Sequence, residues 1–326
     1  MSLPEPLRHL LIPGALLPLP DDHPRPPLPP LPHLDALARR LRPVQTIECD
    51  EDCPNEPAEL ATARALGLPS EPGRIPWAAL ESQTWDTPCA WLQPCHWQLG
   101  MDHVLLADPA HLKLSEEHSR ALLASLEPLL QDDGIEMSMN DKMPGVWLAK
   151  GELFGGLTSW SMRRATGRRL TPDLLANSTE TAHAARLRRL QNELQMLLYT
   201  HPVNDERERA GQLPINALWI AGAGMLHKPQ PPRPDVVVDN RLVLAEEALA
   251  GATLSQAIEA HHNAWRALDA DTGKRLLQSL EAGNEIRLSL CGPERALTFS
   301  PAEQGVFSKI STFFNRRTLN HLLNQL

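Results

Sequence analysis

The stretch 186-RLRRLQNELQMLLYTHPVNDERERAGQLPINALWIAGAG-224 decides the fold that this sequence predicts. Leucines recur in its first part at three- and four-residue steps, the spacing of one helical face. They are Leu187, Leu190, Leu194, Leu197 and Leu198. Pro202 is expected to end this helix, and the polar run 204–212 to cross the surface as a loop. Residues 215–220 predict a mostly buried strand that ends in a glycine turn, 222–224, so the whole stretch predicts an α/β unit.

The composition indicates a soluble globular protein with one or two domains. The chain has 326 residues, 42% of them apolar and 22% charged, which excludes a disordered polypeptide. Its net charge of −9 repels phosphate backbones, so we expect no nucleic-acid partner. We expect no membrane partner either, because no apolar run is long enough to span a bilayer. The first residues lack a basic region and a secretory cleavage site, so we expect a cytoplasmic protein.

The cysteines do not predict a metal site. Their number, five, fits a reducing compartment. Cys49 and Cys53 flank the acidic run 50–52, but a zinc site needs further Cys or His residues at close spacing, and none follow. The segment 89–96, with two more cysteines and a histidine, supplies ligands only if the fold brings it to the same place. The expectation is that the chain holds no metal and no cofactor.

A basic cluster in this acidic chain is the main candidate for a ligand site. Its arginines surround the turn residues Thr166 and Gly167. They are Arg163, Arg164, Arg168 and Arg169. Guanidinium groups bind phosphate or carboxylate oxygens through paired N–H donors. We predict that this cluster binds a small anion; the alternative is a solvated basic face paired with glutamates.

Histidines provide two weaker candidates. Asp102 and His103 lie in the segment 96–108, which predicts a strand, and adjacent side chains of a strand point to opposite faces. They therefore need further ligands to hold one metal ion, and a hydrogen-bonded strand histidine is the alternative. His261 and His262 lie about 100° apart on a predicted helix. We expect them at the surface and not as paired ligands.

The opening stretch also carries a resemblance to a known family. Several of its residues stand at a fixed spacing: a helix, Pro-x-Asn, an arginine in a charged run, a Leu-Pro-x-Asn strand and Gly-x-Gly. In this sequence they are Pro202, Asn204, Arg207, Leu213, Pro214, Asn216, Gly222 and Gly224. The segment resembles the archaeal-type cofactor-independent phosphoglycerate mutases. It is also similar to a bacterial group of mutase relatives described as RpfE-type regulatory proteins.

The resemblance implies a fold and a domain organisation. The mutases belong to the alkaline-phosphatase-like superfamily, so we expect an α/β protein with a reduced core of that type. The expected core is discontinuous and consists of residues 1–88 and 225–326. Residues 89–224 are expected to form an inserted α+β subdomain like that of the mutases.

Two residues of the shared segment, Asn204 and Arg207, are secondary candidates for ligand binding. The alternative gives the polar and aromatic residues of this segment structural roles. In that interpretation Arg207 is a surface charge, Asn216 bonds backbone within the strand, and Trp219 is a core aromatic residue.

The chain departs from the family where the family holds its metals. The mutases use two metal ions and a nucleophilic serine, and their first strand ends in a metal-binding aspartate. Here the first predicted strand, 10–12, is followed by Pro13, which cannot ligate a metal. Neither Ser70 nor Ser82 has a recognisable nucleophile context, and a late strand leads into 291-CGP-293 where the family has Asp-His. The expectation is a mutase-like fold without the catalytic groups.

Three functions are compatible with these residues. The first is a catalytically degenerate, regulatory phosphoglycerate-mutase-like protein that binds a small phosphorylated metabolite or a protein partner, with a homodimer as a possible assembly. The alternative is an active mutase or phosphatase that holds manganese or zinc through relocated ligands. Those ligands would be Asp21, Asp22, Asp102, His103, Asp239 and Asp269. The second alternative is a scaffold protein that binds through its proline-rich segments and a predicted C-terminal helix, 303–326.

Overall fold

The chain folds into two compact units in a computed structural model. Unit 1 consists of Met1–Asp52, Glu56–Gly67 and Pro232–Leu326, and unit 2 consists of Cys53–Asn55 and Leu68–Pro231. The residues that the structure describes are 5–20, 23–140, 143–172, 174–178, 181–248, 253–301 and 318–326.

The strands are named here in chain order. They are β1 (His9–Ile12), β2 (Leu41–Glu48), β3 (Cys89–Cys95), β4 (Trp97–Leu99), β5 (Val104–Leu106), β6 (Glu136–Met139), β7 (Trp147–Lys150), β8 (Leu157–Thr158), β9 (Asn177–Ser178), β10 (Ala217–Gly224), β11 (Val236–Val238), β12 (Arg287–Cys291) and β13 (Arg295–Pro301).

The helices follow the same convention. They are α1 (Pro32–Arg40), α2 (Pro57–Leu66), α3 (Trp77–Ser82), α4 (Glu116–Asp132), α5 (Met162–Ala165), α6 (Thr181–Tyr199), α7 (Pro202–Arg209), α8 (Arg241–Glu247), α9 (Leu254–Leu268), α10 (Lys274–Glu281) and α11 (Leu319–Leu323). Short 3₁₀ turns lie at Pro109–His111 and Glu152–Phe154, and a π-helical turn at Asp269–Gly273 joins α9 to α10.

Unit 1 is built on a mixed sheet with the strand order β11-β1-β12-β13-β2. The strand β1 runs parallel to both neighbours, β11 and β12. The strand β13 runs antiparallel to β12 and to β2. A mixed sheet packed with helices confirms the α/β class predicted from the sequence.

The core of unit 1 lies on one face of this sheet. Alternate residues of β1, Leu10 and Ile12, point to the same side as Leu288 and Leu290 of β12, as the period of two requires. Leucines of α1 and the fully buried Trp265 of α9 cover them. The helix α2 packs against β1, β2 and β13.

The π-helical turn fixes the start of α1 and the end of β11. Asp269 is buried and accepts a hydrogen bond from the Leu34 backbone N–H at 2.8 Å, while its other oxygen lies 2.9 Å from His33 Nδ1. The hydroxyl of Thr272 donates to Asp239, directly after β11, at 2.7 Å. The wider turn thus directs two polar side chains inward, where they satisfy other buried groups.

Unit 2 is built on an antiparallel sheet with the order β10-β3-β7-β6. Leu218 and Ile220 of β10 pack with leucines of α4 and α6. Trp219 and Ala221 point to the opposite face, where they pack with Cys95, Trp160 and their neighbours. Because both faces are covered, β10 has the continuous apolar sequence that predicted a buried strand.

The border between the units differs from the expected one at residue 88. Residues 68–88 belong to unit 2, because α3 packs against β10 and β3 of that unit. The loop before α3 also makes hydrogen bonds to residues of unit 2. Gly73 N–H donates to Asn55 Oδ1 at 2.6 Å, and Gly73 carbonyl accepts from Ser159 N–H at 2.8 Å.

Two local predictions are wrong, and one strand was missed. The polar run after Pro202 is the helix α7, because Pro202 occupies its first turn and the His201 side chain accepts from Val203 N–H. The segment 96–108 is a hairpin of β4 and β5 that turns at 100–103. The strand β13 was not predicted.

The C-terminal helix and membrane predictions can be tested in part. Residues 303–317 of the predicted helix lie outside the described residues. The following helix α11 buries Leu319, Leu322 and Leu323 in the unit 1 core. None of the described helices combines the length and the hydropathy needed to cross a bilayer.

Candidate functional site

The arginine cluster lies on α5 and the turn after it, in unit 2. Ser161 caps this short helix and accepts from Arg164 N–H at 3.3 Å, and Gly167 makes the turn with a φ of +74°. Arg163 and Arg169 are exposed, whereas Arg164 and Arg168 are half-buried.

The guanidinium groups of this cluster contact different segments. Arg164 Nε donates to the Cys53 carbonyl at 3.3 Å, and Arg169 Nη2 donates to the Asp102 carbonyl at 2.8 Å. The guanidinium of Arg168 stacks on the Trp160 ring, 5.6 Å from its centre, as cation–π pairs do. The cluster is therefore a basic surface of unit 2 that its own side chains tie to neighbouring loops.

Asp102 and His103 lie at the tip of the β4–β5 hairpin beside this surface. His103 Nδ1 is 2.7 Å from Asp102 Oδ1, and the Asp102 carbonyl accepts from Arg169. The expectation that the two side chains point to opposite faces is wrong, because they stand in a turn and not within a strand. The structure thus brings Asp102, His103 and Arg169 together.

The side chain of Asn204 makes three hydrogen bonds to surrounding backbone groups. Its amide nitrogen donates to the Leu198 carbonyl at 2.7 Å and to the Ile215 carbonyl at 2.8 Å. Its oxygen accepts from Ile215 N–H at 2.7 Å. The side chain is buried, and these bonds join the end of α6 to the segment that leads into β10.

Arg207 is completely buried, so the expectation of a surface charge is wrong. It lies on the same face of α7 as Val203 and Asn204, the three- and four-residue spacing of a buried helical stripe. Its Nε donates to the Leu213 carbonyl at 2.8 Å and its Nη2 to the Leu112 carbonyl. Its Nη1 has no partner among the described residues. Burial lowers the pKa of this guanidinium.

Asn216 and Trp219 have the structural roles expected of them. Asn216 accepts from Trp97 N–H at 2.7 Å and donates to the Trp97 carbonyl at 2.9 Å. Trp219 is buried and its indole N–H donates to the Trp160 carbonyl at 2.9 Å. In the segment that carries the family resemblance, the side chains of Asn204, Arg207 and Asn216 therefore hydrogen-bond backbone groups of neighbouring segments.

The carboxyl edge of the unit 1 sheet is where open α/β folds place ligands. The first strand, β1, leads into buried Pro13, and β12 ends at buried Cys291. Burial raises the pKa of the Cys291 thiol to about 12. The carboxylate of Asp239, after β11, is buried and accepts from Thr272 and from Arg241 N–H. These residues do not fit a two-metal phosphotransferase site.

The proposed relocated ligands have protein partners where they are described. Asp239 and Asp269 of unit 1 bond Thr272 and the start of α1, and Asp102 of unit 2 bonds His103. Asp21 and Asp22 lie outside the described residues. Within the described ranges, no group of three or more His, Cys, Asp or Glu side chains is arranged to hold a metal ion.

The sequence interpretation did not predict two buried histidines. His261 is buried and its Nε2 bonds the Gly14 carbonyl at 3.2 Å, so its expected surface position is wrong. His9 is buried on β1 and lies 2.8 Å from the Ser289 hydroxyl, which in turn lies 2.7 Å from the Thr298 hydroxyl. A histidine within an apolar run, 9-HLLI-12, was the available signal.

The chain is similar in structure to two solved proteins. One is the cofactor-independent phosphoglycerate mutase from Thermoplasma acidophilum, with 16% identity, a TM-score of 0.36, and coverage of 91% of this chain and 90% of the mutase. The other is the PH0037 protein from Pyrococcus horikoshii, with 14% identity, a TM-score of 0.41, and coverage of 91% and 88%. No protein-family model matches the chain, and no curated protein matches it.

Proposed function

We propose that this chain is a non-catalytic, regulatory relative of the cofactor-independent phosphoglycerate mutases that binds a small phosphorylated metabolite. The observation that carries the proposal is a contrast between two parts of the molecule. In the segment that resembles the mutases, Asn204 and Asn216 are present and hydrogen-bond backbone groups. The edge that would hold metal has Pro13 and Cys291 instead of carboxylate and imidazole ligands.

The ligand site in this proposal is the arginine surface of unit 2. Its support is electrostatic: four arginines lie within seven residues, 163–169, in a chain with a net charge of −9. Arg163 and Arg169 are exposed, and charged guanidinium donors form strong, paired hydrogen bonds with phosphate. A phosphorylated metabolite bound there would contact α5 and the β4–β5 hairpin tip.

The catalytic part of the proposal is tested by an activity assay on the full chain. The expected result is no conversion of 3-phosphoglycerate to 2-phosphoglycerate and no phosphate release, with manganese, zinc or magnesium added. Turnover that disappears when the metal is chelated would overturn the non-catalytic assignment and favour the active-enzyme alternative.

The binding part is tested by thermal shift and calorimetry with 3-phosphoglycerate and with inorganic phosphate. We expect Arg163→Gln combined with Arg169→Gln to weaken binding by about tenfold or more, because each charged hydrogen bond contributes on the order of 1.5–3 kcal/mol. The matched control combines Arg188→Gln with Arg209→Gln, two exposed arginines on α6 and α7. Equal weakening in the two double variants would indicate a general effect of charge and contradict a site at α5.

A further inference from the structure

Unit 1 contains a cavity of about 240 Å³ that has no part in the function proposed above. Four segments line it: the loop after β1, the proline-rich segment, α9 and α11. Ala15, three residues after the end of β1, forms part of its wall. The cavity therefore lies beside the carboxyl end of a parallel strand, the usual place for a ligand in an open α/β sheet.

One part of the cavity wall is apolar. Leu17, Leu19, Leu28 and Ile258 line it and are each only half-buried. Covering such side chains with an apolar group is favourable by about 25 cal/mol for each Å² removed from water. The body of a ligand that fits here is consequently apolar.

The other part of the wall is polar and carries positive charge. Arg25 lines the cavity with the amides of Asn320 and Asn324, and none of the described lining residues is acidic. Arg25 forms no hydrogen bond or ion pair with any described residue. A guanidinium group in this position matches a carboxylate, which it binds through two parallel N–H bonds.

The two histidines of the wall add no second charge at neutral pH. Burial lowers the pKa of His261 and of His262, and the charge of Arg266 lowers that of His262 further. His261 also bonds the Gly14 carbonyl, which holds its ring in place. The cavity thus offers one permanent positive charge, that of Arg25, beside an apolar wall, which complements a single negative charge on an apolar body.

The volume limits the size of the ligand. If each atom is given the volume of a water molecule in the liquid, 240 Å³ holds roughly eight non-hydrogen atoms, which limits the apolar body of a ligand whose carboxylate reaches the exposed Arg25. We propose that this cavity binds a small monocarboxylate with an apolar body, an aromatic or short-chain aliphatic acid, with its carboxylate on Arg25 and its body against Ile258 and the leucines. This site is separate from the arginine surface and takes a different class of ligand.

The test uses the full chain and four probes: phenylacetate, hexanoate, benzyl alcohol and 3-phosphoglycerate. Binding is measured by calorimetry and by saturation-transfer NMR. We expect phenylacetate and hexanoate to bind, and benzyl alcohol to bind at least about tenfold more weakly because it lacks the charge. Binding of the alcohol as tightly as the acid would overturn the proposal, as would the absence of binding by either acid.

Two variants locate the site. Arg25→Gln removes the charge from an exposed position and is expected to weaken binding of the two acids by about tenfold or more. Ile258→Trp fills the cavity from α9 and is expected to abolish binding while Arg25 remains. The control is Arg40→Gln, an exposed arginine of α1 that pairs with Glu281 and does not line the cavity. Circular dichroism checks that each variant is folded.

The outcome is independent of the function proposed above. Acid binding that survives both Arg25→Gln and Ile258→Trp would place the ligand elsewhere and contradict this site. Binding of 3-phosphoglycerate that is lost in the Arg163 and Arg169 double variant, but kept in Arg25→Gln, tests the arginine surface alone. Either proposal can therefore fail without the other.

Discussion

Asn204 closes a two-way bridge on the backbone of Ile215: its amide donates to the Ile215 carbonyl at 2.8 Å, and its oxygen accepts from the Ile215 N–H at 2.7 Å. A backbone pair is normally satisfied by a neighbouring strand, but Ile215 lies two residues before β10 begins. The asparagine supplies the missing donor and acceptor. This relationship explains why the chain needs an amide, and no other side chain, at position 204.

Asn204→Ala should destabilise the protein by about 2–4 kcal/mol, because three hydrogen bonds are lost and buried backbone groups stay unsatisfied. Asn204→Asp should be at least as damaging, because it keeps the acceptor, loses both donors and buries a charge. Urea unfolding followed by circular dichroism measures both changes. Asn177→Ala, at an exposed asparagine of unit 2, is the control and should change stability by less than about 0.5 kcal/mol. A similar cost at both positions would contradict the bridge.

Gly222→Ala should cost about 3 kcal/mol, the sum of a left-handed backbone and a steric clash. Gly222 has a φ of +60°, and an added Cβ would lie 3.0 Å from Trp77 Cβ of α3. Gly211→Ala separates the two contributions, because Gly211 has a φ of +67° with nothing within 4 Å of the added atom. We expect it to cost about 1 kcal/mol. The Tm values of the two variants should therefore differ by several degrees. Equal losses of Tm would show that α3 shifts to accommodate the new methyl group.

Acidification should destabilise the native fold through His9. Burial first, then the charges of Arg287 and Arg233, lowers the pKa of His9 from 6.5 to about 4. A depressed histidine pKa means that the unfolded chain takes up the proton first as the pH falls. The stability that neutral His9 gives is therefore complete above about pH 6.5 and is lost between about pH 6.5 and 4, by roughly 3 kcal/mol.

His9→Gln tests this pH dependence, because glutamine keeps a polar group beside Ser289 but does not titrate. Urea midpoints at pH 7, 5.5 and 4.5 should fall less steeply in the variant than in the parent. His23→Gln, at an exposed histidine of the same unit, should leave the parent slope unchanged. Parallel slopes in the parent and in His9→Gln would be incompatible with a depressed pKa at His9.

Arg207→Met should destabilise unit 2 by about 2–4 kcal/mol despite removing a buried charge. The Leu213 and Leu112 carbonyls would lose their donor and remain buried without a hydrogen bond. We expect this loss to exceed the free energy gained by removing the buried, unpaired Nη1 of Arg207. Arg209→Met, exposed on the same helix, is the control and should be nearly neutral. A gain in stability for Arg207→Met would mean that desolvation of the guanidinium outweighs its two bonds.

Regular elements with a clear period were predictable from the sequence. The leucine spacing of α6 and the apolar run of β10 predicted both elements, and the strands β1 and β12 were also found within one or two residues. The helix α7 was missed because its residues are almost all polar and its buried side consists of Asn204 and Arg207 with a single apolar residue, Val203. The spacing of apolar residues cannot reveal a helix whose buried face is mostly polar.

The candidate sites were less predictable, because their geometry depends on contacts that are distant in sequence. The four arginines were visible as a cluster, but their partners Cys53 and Asp102 lie more than fifty residues away. The cavity beside β1 combines Arg25 with α9 and α11, segments separated by more than two hundred residues. No local sequence pattern indicates that such distant segments come into contact.

Residue identity and spacing were enough to predict the α/β class, the positions of the strongly periodic elements, and the absence of carboxylate and imidazole side chains at Pro13 and at 291–293. Only the tertiary structure decided which polar groups are buried, because burial follows from packing between distant segments. Arg207 and His261 show this: each was expected at the surface, and each is enclosed once its helix packs.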